Sequence, residues 1–178
     1  MAFDEALPKN SESRCISIAC KLLKKNAPQV KWFVSFADGC QCGDGAIYRA
    51  SGFYLTAVKK NSGMWRLKSG EVIADIITRA AWNDSTRKKL GFRQGEKWST
   101  FAERVGAKRL EGFQLRYIYF LDPTYKSKLT CPILPFSKID EMGARMYKGE
   151  RLSPRSKDSV ASGFQPEDGG ANPTLGLL

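Results

Sequence analysis

The chain contains no histidine, and that absence sets the terms for any reaction it could run. Ser-His-Asp and Cys-His nucleophile systems cannot be built from this chain alone, nor can a metal site that relies on imidazole. Proton transfer therefore falls to Asp, Glu, Tyr, Lys, Cys or water. Three side chains stand out by type and place. Ser13 lies in the segment Ser11-Glu12-Ser13-Arg14-Cys15-Ile16, Asp38 follows the apolar run Val30–Phe36, and Tyr48 stands four residues before Gly52-Phe53. The amides of a Ser-rich helix start attract phosphate, and a carboxylate at a strand end beside a pocket suits functional chemistry. Each also has a purely structural reading: helix capping for Ser13, loop capping for Asp38, a core aromatic for Tyr48. Cys40-Gln41-Cys42 offers only two thiolates where structural zinc needs four ligands, so these are read as ordinary thiols. Cys15, Cys20 and Cys131 read as small core residues.

The elements that must position these groups are legible in outline. Asn10-Ser11 start a helix over 11–25, with Ile16, Ala19, Leu22 and Leu23 at helical spacing and Pro28 beyond its end. Residues 30–36 form a largely buried strand. After a turn-rich loop, Asp44 caps a short helix to Ala50, with Gly52 at a left-handed C-terminal position. Strands are expected at 53–58, 65–67, 72–77 and 113–121, with Leu115, Tyr117 and Tyr119 on one face of the last. Residues 84–98 read as a basic, polar connection. Thr100 and Glu103 suggest a capping box for a helix at 100–109, and a last helix is expected from Ser137 to Tyr147. From Arg151 onward Ser, Pro, Gly and Asn dominate, predicting a disordered tail over 151–178 behind one domain over 1–150. The βα order implies an α/β layer in which the first helix packs on a sheet containing strands 30–36 and 53–58.

Charge narrows the partners. Lys and Arg number 29 against 18 Asp and Glu, a net charge of +11. The excess is confined to residues 59–160, which carry 22 basic and 11 acidic side chains. Such a field favours polyanions, nucleic acid foremost. The run Arg87-Lys88-Lys89-Leu90-Gly91-Phe92-Arg93 interleaves cations with apolar residues, and Arg87, Lys88, Lys89 and Arg93 are candidate phosphate contacts. No apolar run approaches the roughly 20 residues that span a bilayer, and the first residues lack an export signal. A cytoplasmic, reduced protein is expected.

The ordered set of Ser11–Ile16, Ser35-Phe36-Ala37-Asp38 and Ala46-Ile47-Tyr48-Arg49-Ala50-Ser51-Gly52-Phe53 resembles the core of GNAT acyltransferases. That resemblance implies a mixed sheet with flanking helices whose strands 30–36 and 53–58 are antiparallel. It implies coenzyme A pyrophosphate on the first helix start, at Lys9, Asn10, Ser11, Glu12, Ser13 and Arg14, and Tyr48 protonating the departing thiolate. Serines replace the usual glycines of that loop. More narrowly, Ala6–Arg14, Val30-Lys31-Trp32, Ser35–Gly39, Gln41–Gly45, Ile47–Phe53 and Gly112–Tyr117 are similar to the phage Mom family. Mom proteins methylcarbamoylate adenine at its exocyclic amine and shield phage DNA from restriction. The resemblance implies acetyl-CoA as cofactor and double-stranded DNA as partner, with the adenine flipped out. It implies functional positions at Ser13, Asp38 and Tyr48, and iron is associated with the family. It also implies that the family's N-terminal strands precede residue 1 and are missing here. Two alternatives remain open: an ordinary GNAT acetyltransferase acting on a protein or small amine, and an inactive, truncated DNA-binding protein. Leu121-Asp122-Pro123-Thr124-Tyr125 resembles the adenine-holding motif of amino-methyltransferases, but the second proline is replaced. It reads as a strand-ending turn.

Overall fold

The computed structural model describes residues 7, 8, 10–74 and 84–153. Lys9, the continuation of the 72–77 strand past Ala74, and the tail beyond Ser153 lie outside the described residues. Helix α1 spans Ser11–Asn26, followed by β1 (Trp32–Asp38), α2 (Ala46–Ala50), β2 (Tyr54–Arg66) and β3 (Val72–Ala74). Then come α3 (Asp84–Leu90), α4 (Trp98–Arg104), β4 (Lys108–Phe120), a 3-10 turn (Pro123–Lys128), α5 (Ser137–Glu141), β5 (Met146–Tyr147) and β6 (Glu150–Arg151).

Four strands form one sheet in the order β1-β4-β2-β3, and β5 and β6 make a separate hairpin. The expected pairing is corrected in one respect. Every described ladder is antiparallel, so the sheet is not mixed, and β1 and β2 are not neighbours. β4 lies between them, with Trp32 opposite Phe120 and Tyr54 opposite Ile118. Because both run antiparallel to β4, they run parallel to each other. β4 is paired on both edges, with β1 along residues 114–120 and with β2 between Lys108 and Ile118. β2 also runs thirteen residues and absorbs the expected strand at 65–67. Its register shifts between Leu55 and Ala57 and again between Asn61 and Met64. Such shifts bend a long strand and increase its twist.

The core lies on the sheet face that meets α1 and α2. Ala37, Phe53, Leu55, Leu115, Tyr117 and Met146 are buried there, with Ile16, Phe33, Tyr48 and Tyr119 packed against them. Fully burying each large apolar side chain contributes about 1.5–3 kcal/mol. A second cluster ties α3 and α4 to the far end of β2. Phe92 stacks on Phe101 with centroids 3.8 Å apart, Trp98 meets Trp65 at 5.3 Å, and Arg104 bonds Glu96 at 2.7 Å.

Several local expectations change for identifiable reasons. Residues 84–90, read as connection, are helical. The next helix starts at Trp98 with no side-chain cap, so Thr100 and Glu103 are not a capping box. Gly106, at φ 60°, ends that helix early and frees Lys108 to start β4. Gly143, at φ 62°, likewise stops α5, and Met146-Tyr147 become a strand. Arg151 belongs to β6 rather than to a tail. Asp44 does not cap α2, whose N-cap residue is Gly45.

Two glycines are required by close approach. A Cβ on Gly112 would stand 2.2 Å from Cys40 Sγ. One on Gly45, at φ 77°, would stand 2.5 Å from the Tyr117 ring. Gly70, at φ 89°, has nothing within 4 Å. Gly112→Ala and Gly45→Ala should each lower unfolding free energy by about 3 kcal/mol, the cost of forced overpacking. Gly70→Ala should cost about 1 kcal/mol, from its backbone angle alone. Urea unfolding of the three variants measures this order.

Candidate active site

α1 begins with an unusual cap. Asn10 sits at φ 68°, and its side chain makes no capping hydrogen bond to the first turn. Ser11 Oγ donates to the Pro8 carbonyl at 2.6 Å, and Ser13 Oγ donates to the Asn10 carbonyl at 2.9 Å. Both hydroxyls thus serve carbonyls, the Ser11 amide donates to the Pro8 carbonyl, and among the described residues no side chain is hydrogen-bonded to the first-turn amides. Uncapped amides at the positive end of a sixteen-residue helix suit an anion.

Asp38 ends β1 and organises the loop after it. Its Oδ1 accepts from the Cys40 amide at 2.9 Å and its Oδ2 from Asn61 Nδ2 at 2.6 Å. Its carbonyl accepts the amides of Gln41, Cys42 and Gly43. Asn61 in turn takes the Gly63 amide at 2.9 Å, so the carboxylate links the end of β1 to the bend in β2. Cys40 is buried beneath this loop against Gly112 and Met146, whereas Cys42 is exposed. Burial pushes the Cys40 thiol up to about 11, and the charge and hydrogen bond of Asp38 add to the effect while Arg66 opposes it. No group of three His, Cys, Asp or Glu among the described residues is placed to hold a metal ion.

Tyr48 is half-buried on α2, its ring 5.1 Å from Phe53 and 5.3 Å from Tyr117. Beneath it lies a network that the sequence reading missed. Arg49 Nη2 bonds Asp44 Oδ1 at 2.9 Å, and Arg49 Nη1 donates to the Asp44 carbonyl at 2.8 Å and to the Tyr117 hydroxyl at 3.1 Å. The Tyr117 hydroxyl donates back to the Asp44 carbonyl at 2.6 Å. Arg49 and Asp44 are only 9% and 7% exposed. Burial works against the guanidinium charge, but Tyr117 and Asp44 more than offset it and raise its pKa above the ordinary value. A signal existed in the Asp-x-x-x-x-Arg spacing across a glycine, though nothing local indicates that a tyrosine 68 residues later closes the network.

The sequence-predicted groups are thus brought together in part. α1 packs against α2, which joins the Asn10–Arg14 turn to the element carrying Tyr48. No hydrogen bond or ring contact links Ser13, Asp38 and Tyr48 directly among the described residues. The basic run lies apart from all three. Arg87 is engaged by its own unit, donating to the Glu96 carbonyl and lying 5.0 Å from the Phe92 ring centre. Lys88, Lys89 and Arg93 are exposed.

Breaking the buried pair should be costly. Asp44→Ala or Arg49→Ala leaves an uncompensated buried charge and should destabilise by about 3–5 kcal/mol. Replacing both together should cost clearly less than the sum, as chemical denaturation of a double-mutant cycle would read. The Cys40 shift has a defined sign. A thiol held at about 11 against an ordinary 9.0 favours folding below pH 9, and that contribution is lost as pH rises from there towards 11. Cys40→Ala should lack this part of the alkaline destabilisation, measured as melting temperature against pH.

The chain was compared with known proteins. The Mom protein family matches over residues 1–138, a span that contains every candidate site residue discussed above. Methylcarbamoylase mom of Escherichia phage Mu is 33% identical over 130 residues, which cover 72% of this chain and 49% of that protein. The chain spans about half the length of this curated relative. On the extent of both matches, the chain belongs to the Mom family.

Proposed function

We propose that the chain takes part in DNA modification that places a methylcarbamoyl group on the N6 amine of adenine, on a GNAT-like scaffold, with acetyl-CoA supplying its two carbons and a separate ammonia-level nucleophile supplying the amide nitrogen as it displaces the CoA thiolate from the carbonyl. The observation that carries this reading is the family match over residues 1–138 together with the methylcarbamoylase name of the phage Mu relative. The uncapped first turn of α1 supports the cofactor part. Asn10, Ser11, Glu12, Ser13 and Arg14 would face the pyrophosphate, whose charge complements the helix end. The succession α1, β1, α2, β2 keeps the element order of that scaffold, with β1 and β2 parallel and separated by β4.

In this scheme Tyr48 is the proton donor to the departing thiolate. Its ring is clamped by Phe53 and Tyr117, which fixes where the phenol points without using its hydroxyl. Asp38 has both carboxylate oxygens hydrogen-bonded, so in this scheme it holds the β1–α2 loop in shape. Joining a methyl carbon to nitrogen demands activation of a methyl hydrogen beyond acid–base help. A redox metal such as iron would supply it. The described residues do not fit a metal site, and no step is assigned through one. The adenine amine lies inside a duplex, so the base must be flipped out or met as a single strand.

Bulk DNA from cells expressing the chain, digested to nucleosides and weighed by mass spectrometry, tests the reading. Methylcarbamoyl-deoxyadenosine is expected. Tyr48→Phe should lower its yield about a hundredfold or more, the usual worth of a positioned acid. Acetylated amines on protein with unmodified DNA would assign an ordinary acetyltransferase, and salt-dependent DNA binding without any product would assign a binding protein. Lys88 and Lys89 are two of the exposed cations of the basic run. Replacing both with alanine should flatten the slope of log affinity against log salt by about 0.9 per lost phosphate contact, measured by titration.

A further inference from the structure

The face of the sheet opposite α1 and α2 is covered over β4, where Ile118 and Phe120 are buried, and left open along β1. Along β1 the outward residues are Trp32, Val34 and Phe36, exposed by 49%, 37% and 54%. Their partners on β4 are Phe120, Ile118 and Arg116. The 3-10 turn and the residues after it wall one side, leaving a cleft of about 250 Å³ lined by Trp32, Val34, Arg116, Phe120, Tyr125 and Lys128 among others. No described residue lining it is acidic, and two are cationic. Lys128 Nζ stands 4.2 Å from the Tyr125 ring centre, and Lys126 stands 4.8 Å from that of Tyr54 at the margin. Asp122 is the acidic residue near the rim, and it faces Lys31 at 3.8 Å and Thr124.

We propose that this open sheet face is a stacking platform for an unpaired nucleobase, with Trp32 and Tyr125 as the aromatic surfaces and Arg116 and Lys128 as the phosphate contacts. The inference rests on the reading of DNA as substrate and gives the base a place on the molecule. Exposed rings on one face of an antiparallel sheet, flanked by cations, are the arrangement by which protein surfaces hold splayed bases. Every base has a π-face, and every nucleotide brings a negative charge. A nucleotide therefore matches both properties of the cleft, whereas an apolar polypeptide would offer nothing to its two cations. Paired bases in an intact duplex present no free face, so the platform selects a single strand or a flipped base.

The test uses the full chain with a single-stranded oligonucleotide carrying a photoactivatable thiobase, and with the matching plain duplex. Crosslinks should map to peptides containing Trp32 or residues 125–131. Trp32→Ala should weaken single-strand binding about fivefold to a hundredfold, the worth of one stacked base. Trp32→Phe should restore most of it, and duplex affinity should change less than twofold. Both variants should melt like the parent, because the side chain is half exposed. Lys128→Ala provides a second variant far from any core contact and should weaken single-strand binding severalfold. Salt-dependent DNA binding with crosslinks confined to residues 84–104, or an unchanged single-strand affinity in Trp32→Ala, overturns the platform and leaves the DNA reading standing. Failure to bind either form of DNA overturns both. A dimer that Trp32→Ala converts to monomer in sedimentation assigns the face to a second copy and also overturns the platform.

Discussion

One guanidinium holds the middle of this molecule in place. Arg49 binds the carboxylate and carbonyl of Asp44 and the hydroxyl of Tyr117, all within the core. A buried ion pair of this kind adds little net stability over a well-packed apolar substitute. Its consequence is positional. It fixes the short helix α2, which is only five residues long and could not stand alone, against the central strand β4. The rings of Phe53, Tyr48 and Tyr119 then pack on a surface whose geometry is already set. Gly45 is the companion constraint, because the Tyr117 ring occupies the space that any side chain there would need.

The sheet divides the molecule into two chemically different sides. One side carries the core, α1 and α2, and on it the groups related to the cofactor reading, the first turn of α1 and Tyr48. The other side is open, aromatic and basic. Strand alternation gives Asp38 the same parity as Trp32, Val34 and Phe36, so β1 runs from the open face to the loop that leads into α2. A reaction that needed groups from both sides would have to take place at the end of β1, where Asp38, Asn61 and Cys40 meet. Part of the excess charge of residues 59–160 lies at the open face, in Arg116 and Lys128, and part in the α3–α4 unit, in Lys88, Lys89 and Arg93.

What the sequence disclosed follows the range of the forces involved. The places of helix α1 and strands β1 and β4 were legible because periodicity, β-branched residues and flanking breakers act locally, but β1 is not the largely buried strand expected, since Trp32, Val34 and Phe36 are exposed. Gly52 at φ 79° was legible for the same reason. The boundaries of α4 and α5 were missed where Gly106 and Gly143 adopt left-handed angles and stop helices that composition would extend. The place of β4 between β1 and β2 was not legible, since pairing partners far apart in sequence leave no local trace. The partnership of Asp44 and Arg49 was missed because capping is the common role of an aspartate before a short helix. Charge counting pointed to the basic run at 87–93. It gave no sign that Arg87 is occupied with Phe92 and Glu96, or that Lys126 and Lys128 sit over tyrosine rings.

The central place of β4 also governs when the protein can come into being. β1 and β2 have no partner in each other; β2 meets the short β3 first, whereas β1 waits for the strand that ends at Phe120, which pairs with Trp32. Ribosomes extend chains at about 5–20 residues per second, so the first strand spends on the order of ten seconds without its ladder. During that time Phe33, Phe53 and Leu55, which later form the core, lack the β4 residues Leu115 and Tyr117 that pack with them. Folding that depends on such distant pairing is slow, and the waiting strands are open to association with other chains. The last strand of the sheet therefore acts as a timer on biogenesis, setting when β1 gains its ladder.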